Sequence, residues 1–139
     1  MAGHNKKIGG GGFHHLAMKV NDFDAVKRFY VEALGFTEKI TWGEGDKRAV
    51  MLDTGDGNYL EIFAGATAEP KPEGAMLHFA LRTSNCDAAL KRARDAGAQV
   101  TMEPKDVTIP SKPTPTPVRI AFCKGPAGET IEFFQNELT

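Results

Sequence analysis

The stretch His15–Phe29, "HLAMKVNDFDAVKRF", has a counterpart further along the chain in His78–Ala93, "HFALRTSNCDAALKRA". Each opens with a histidine, places alanine two positions on and carries a basic residue, Lys19 or Arg82, four positions on. An Asx-containing turn follows in each, then a segment holding "AVKR" or "ALKR". Self-similarity at this scale signals a duplicated structural unit. In the first copy Val26, Phe29, Tyr30, Ala33 and Leu34 form one apolar stripe at helical spacing, and Gly35 ends the helix. In the second, Ala89, Leu90, Ala93 and Ala96 repeat the pattern before Gly97. Strand-like segments follow each helix: "FTEKITW", "RAVMLD" and "YLEIF" in the first copy, "AQVTM", "VRIAFC" and "TIEFF" in the second. The turns "TGDGN" and "KGPAGE" mark hairpins. Each half therefore predicts β-α-β-β-β. The expected organisation is a leader at 1–12, a first module at 13–65, a linker at 66–75 and a second module at 76–136. The glycine-rich leader predicts a flexible segment.

The period of two along a strand sorts the side chains by face. In "FHHLAMKV" (Phe13–Val20), Leu16, Met18 and Val20 share a face with His14, and the following helix covers them. That sends His15 and Lys19 to the opposite face and leaves His14 with a structural or solvent-facing part. In the second copy Phe79 and Leu81 go under the helix, with His78 and Arg82 opposite. In "YLEIF", Leu60 and Ile62 are the helix-side pair, so Glu61 shares the other face with Tyr59 and Phe63. In "TIEFF", Ile131 and Phe133 pair in the same way, and Glu132 turns away from the helix. A carboxylate among large apolar residues on a strand is costly without a compensating partner. Two such glutamates, each matched in its own repeat by a histidine, point to a shared cation. Two imidazoles and two carboxylates suit a borderline divalent ion with open positions for water or substrate.

Size and charge exclude other classes. At 139 residues the chain is long enough to bury one domain's core. A net charge of −1 gives no basic excess to recognise nucleic acid, and no apolar run approaches the roughly 20 residues that span a bilayer. The N-terminus lacks the apolar core of a signal peptide. Cys86 and Cys123 have no CxxC spacing and read as free thiols in a reducing cytoplasm. The segment "EPKDVTIPSKPTPTP" (103–117) holds five of the eight prolines; it predicts a stiff loop, either a surface excursion or a lid.

These residues resemble the vicinal oxygen chelate superfamily, the glyoxalase/bleomycin-resistance/dioxygenase fold. The likeness runs from Phe13 to Asn136 and rests on "HLAMKVNDFDAVKRFYVEALGF", "HFALRTSNCDAALKRARDAGAQV" and "IAFCKGPAGETIEFFQ". It implies an α+β fold of two tandem βαβββ modules, whose curved mixed sheets form a cup with a metal on its floor. Family ligands fall on His15, Glu61, His78 and Glu132, and a His/Glu/His/Glu set is similar to that of glyoxalase I. The resemblance thus implies a lyase or isomerase that uses one divalent ion (Ni, Zn, Fe or Mn) on a small substrate with vicinal oxygens. The hemithioacetal of methylglyoxal and glutathione is the model substrate. Glu132 or Glu61 would act as base, with Glu132 favoured. Lys19 and Arg82 would hold an anionic group at the rim, and Tyr59, Phe63, Phe122 and Phe134 would line an apolar pocket. A homodimer is also implied. Two other classes share the resemblance: a different metal-dependent member (an extradiol dioxygenase or a thiol transferase), and a non-catalytic small-molecule binding or resistance protein. "KGPAGE" departs from the family's "DPDG"-like turn, and the segment after Glu61 has no match to the glutathione region of glyoxalase I.

Overall fold

The computed structural model describes Lys7 and residues 13–69 and 76–139. The rest of the leader, with His4, and most of the linker lie outside the described residues. The chain divides into two compact units, Met1–Ala68 and Glu69–Thr139.

In the first unit, strand β1 (His15–Lys19) leads into helix α1 (Phe23–Arg28), then into β2 (Thr37–Trp42), β3 (Ala49–Asp53) and β4 (Tyr59–Phe63). The sheet order is β1-β4-β3-β2, with β1 parallel to β4 and the other pairs antiparallel. Asp22 starts α1 by accepting the Ala25 N–H at 3.1 Å, the N-cap role for which its short carboxylate suits it. The helix does not run on regularly to Gly35 as its stripe predicts. Phe29–Ala33 form a π-helical turn instead, which leaves Val26, Phe29 and Tyr30 buried and Ala33 and Leu34 only half-buried. The wider turn shifts the later residues off the 3.6-residue stripe. Gly35 then takes φ +75°, a left-handed conformation costly for residues with a Cβ.

The second unit repeats the plan: β5 (Phe79–Arg82), α2 (Cys86–Asp95), β6 (Gln99–Ile109), β7 (Thr116–Lys124) and β8 (Thr130–Gln135). Its order is β5-β8-β7-β6, with β5 parallel to β8. Asn85 caps α2 by accepting the Ala88 N–H at 3.0 Å. Leu90 and Ala93 face the sheet as expected. Ala96 does not: it lies past the helix end and is exposed, while Cys86 is buried on the helix face. The proline-rich segment is a further correction. Residues 103–109 extend edge strand β6, and Thr116 and Pro117 open β7 opposite them, with Ile109 paired to Thr116. Pro104 falls where the β6 register shifts, and a bulged edge strand tolerates a missing donor there. The segment is a long hairpin with a short tip, not a free lid.

In both units the helix side of the sheet carries the core. Val50, Leu52, Leu60 and Ile62 are buried in the first unit, and Ala121, Cys123, Ile131 and Phe133 in the second.

Candidate metal centre

Strand pairing puts the candidate residues on the sheet face away from the helix. In β1 and β4, His15 is registered with Tyr59, Ala17 with Glu61 and Lys19 with Phe63. In β5 and β8, Ala80 is registered with Glu132 and Arg82 with Phe134. Each glutamate thus sits beside an alanine on the parallel strand. On the antiparallel side Met51 adjoins Glu61, and Phe122 adjoins Glu132. Six of the expected residues therefore occupy matching register positions: Glu61 and Glu132, Lys19 and Arg82, Phe63 and Phe134. Tyr59 has Thr130 as its counterpart, so the apolar lining is not duplicated there.

Glu61 and Glu132 are the buried charged residues among those described, 8% and 7% exposed. Each is met by the histidine of its own unit. His15 Nε2 lies 3.1 Å from Glu61 Oε2, and His78 Nε2 lies 2.9 Å from Glu132 Oε2. Burial pushes the Glu132 carboxyl above the ordinary carboxylate range, and the neighbouring His78 works against that shift. The His78 ring is further held edge-on by Phe122, with centroids 5.3 Å apart. Lys19 and Arg82 are exposed at the ends of β1 and β5. Among the described residues no group of three or more histidines, cysteines and acids is placed to hold a metal ion.

Two features escaped the sequence reading. Trp42 packs edge-on against Phe63 at 5.9 Å and is 40% exposed, which adds an aromatic wall on the face that bears Glu61. The alternation Ile40, Trp42 in "TEKITW" was the available signal. The second is His14, which precedes β1 and so escapes the strand period. Instead of pointing away from His15, its Nδ1 lies 3.0 Å from His15 Nδ1. A cleft of about 630 Å³ occurs elsewhere in the second unit, lined by Thr83, Asp106, Arg119, Gln135 and Asn136 among others. Neither His78 nor Glu132 belongs to its walls, and Arg119 there is already engaged by Asp87 and Asp106.

Residues 12–133 match the family model described as Glyoxalase/Bleomycin resistance protein/Dioxygenase superfamily. YwbC, an uncharacterized protein of Bacillus subtilis (strain 168), is 32% identical over 125 residues, which span 87% of this chain and 94% of that relative. Among solved structures, TnmS3, an antibiotic binding protein from Streptomyces sp. CB03234, is similar with TM-score 0.67 and 24% identity over 91% of this chain and 97% of its own. The trypanothione-dependent glyoxalase I of Leishmania major is similar with TM-score 0.69 and 22% identity, covering 90% of this chain and 86% of its own. At these identities the two structures speak to the fold.

Proposed function

Because the chain belongs to the Glyoxalase/Bleomycin resistance protein/Dioxygenase superfamily, we propose that it is a metal-dependent lyase or isomerase of the glyoxalase I kind, acting on a small substrate with vicinal oxygens. One observation carries the reading: each unit buries one glutamate against one histidine, at matching places in the two sheets. The donor types of each pair suit a divalent metal. An imidazole Nε2 and a carboxylate oxygen already face each other in each unit, both ligand types suit nickel, zinc, iron and manganese, and burial makes the acids costly without a cation. His15 and Glu61 in the first unit, and His78 and Glu132 in the second, are the candidate ligands. Bound there, the ion would supply Lewis acidity toward adjacent substrate oxygens and offset the negative charge that develops when a carbon-bound proton leaves.

The chain's own residues perform the proton transfer. Glu132 takes the carbon-bound proton and returns it to the neighbouring carbon, with Glu61 the alternative base. Burial raises the proton affinity of Glu132 in the metal-free protein, the direction that favours a base. Tyr59, Phe63, Phe122 and Phe134 bind the apolar part of the substrate and exclude water from the transfer. Lys19 and Arg82 hold its anionic end. Lysine supplies a point charge and cannot form arginine's two-pronged contact, so Arg82 contributes more to orientation. Glutathione is the thiol carrier of the model substrate, and the working form is a cytoplasmic homodimer.

The deciding experiment combines elemental analysis of the purified protein with a methylglyoxal-plus-glutathione assay under added nickel, zinc, iron and manganese. The expected result is a bound divalent metal and turnover with at least one of these ions, lost together in His15→Ala and His78→Ala. Oxygen uptake on a catechol would assign the chain to the dioxygenases instead. Tight binding of a small molecule without turnover, undiminished in His15→Ala and Glu132→Ala, would assign it to the binding proteins.

A further inference from the structure

We propose that His14 is a positioning residue for His15: through a hydrogen bond between the two Nδ1 atoms it orients the His15 ring, and it accepts the Nδ1–H when His15 offers Nε2 to a cation. This rests on the reading of His15 as a metal ligand.

His14 is fixed by contacts outside the strand pattern. Its carbonyl accepts the Tyr59 N–H at 2.8 Å, which ties it to the first residue of β4. Its ring lies tilted against Tyr59 with centroids 5.1 Å apart. The two histidine rings then meet edge to face, with centroids 5.3 Å apart and Nδ1 atoms 3.0 Å apart. Both nitrogens of His15 are therefore engaged, Nδ1 by His14 and Nε2 by Glu61.

A neutral imidazole carries one N–H, and a hydrogen bond between two Nδ1 atoms needs the proton on one of them. When His15 turns the Nε2 lone pair toward a cation, its proton must sit on Nδ1. His14 Nδ1 is then the acceptor, and His14 carries its own proton on Nε2. With no cation, His15 Nε2–H donates to Glu61 and His14 Nδ1–H donates to His15. The two rings thus change tautomer together, with no gain or loss of a proton. A metal-bound histidine whose other ring nitrogen is hydrogen-bonded is both oriented and made more basic. The second unit lacks the device, because Leu77 precedes His78 and its side chain accepts no hydrogen bond. Phe122 braces that ring sterically instead.

The test uses the full chain with zinc as the probe. Zinc affinity is measured by chelator competition for the unmodified protein and for His14→Ala, His14→Gln and His15→Ala, and ring nitrogen chemical shifts are read with and without zinc. His14→Ala is expected to bind zinc about 10-fold more weakly, the low end of the roughly 10–100-fold range for such partners because both rings are exposed. His14→Gln, whose side-chain oxygen can accept from Nδ1–H, is expected to recover most of the loss. In the zinc-loaded unmodified protein the His15 proton should sit on Nδ1 and the His14 proton on Nε2. Unchanged affinity in His14→Ala, with zinc lost in His15→Ala, would overturn the positioning role and leave the ligand reading standing. Unchanged affinity in His15→Ala would overturn the ligand reading, and the role of His14 with it.

Discussion

At Glu132 two opposing influences act on one carboxyl: burial raises its proton affinity, and His78 at 2.9 Å lowers it, with burial the larger. A folded-state pKa above the unfolded one means that the native protein binds more protons than the unfolded chain. The associated stability is fully present below the ordinary carboxylate range and is lost as pH rises through the raised value. At neutral pH the ionised side chain therefore destabilises the metal-free fold. Glu132→Gln should melt at a higher temperature than the unmodified protein at pH 7 without metal, and the difference should shrink as pH falls into the carboxylate range. Thermal melts at several pH values with chelator present check it. Added zinc should reverse the order, since the unmodified protein alone keeps the charge that pairs with the ion. Equal melting at every pH would mean that His78 already neutralises the cost.

The elements show where stability and site placement meet. Asn85 caps the helix that covers β7 and β8, and Asn85→Ala should cost about 0.5–2 kcal/mol in urea unfolding. Leu90, 1% exposed on the inner face of the same helix, should cost about 2–5 kcal/mol when cut to alanine. Neither change touches a proposed ligand, so zinc affinity should follow the folded fraction alone. Arg119 of β7 grips Asp87 at the start of α2 with both Nε and Nη2, at 2.6 and 2.9 Å. That contact holds the Asp87 carboxyl below the ordinary range, so its contribution is present above the unfolded value and fades as pH falls through the depressed one. Asp87→Asn should therefore flatten the acid limb of the melting curve and lower stability slightly at pH 7, slightly because the pair is solvent-screened.

Across the whole molecule, burial makes both thiols inert. Cys86 and Cys123 are fully buried, one in each of α2 and β7. Burial pushes the Cys123 thiol up to about 11 and raises Cys86 as well, so neither is a thiolate near neutrality. A thiol reagent at pH 8 should find no reactive group in the native chain and two after unfolding. The duplication also orders the whole: both units use a parallel β1/β4-type pair flanked by a hairpin, which brings the first and last strand of each repeat side by side. That adjacency is why a histidine and a glutamate far apart in the chain meet at about 3 Å.

The sequence by itself determined the repeated β-α-β-β-β order and the strand face that carries His15, Glu61 and Glu132. Those follow from periods of 2.0 and 3.6 residues, which backbone geometry sets locally. Tertiary structure alone decided the π-helical turn after α1, the extension of β6 through Pro104, the aromatic wall at Trp42 and the turn of His14 toward His15. Each of these lies where a regular element begins, ends or meets an edge, and there packing against neighbours overrides the local period.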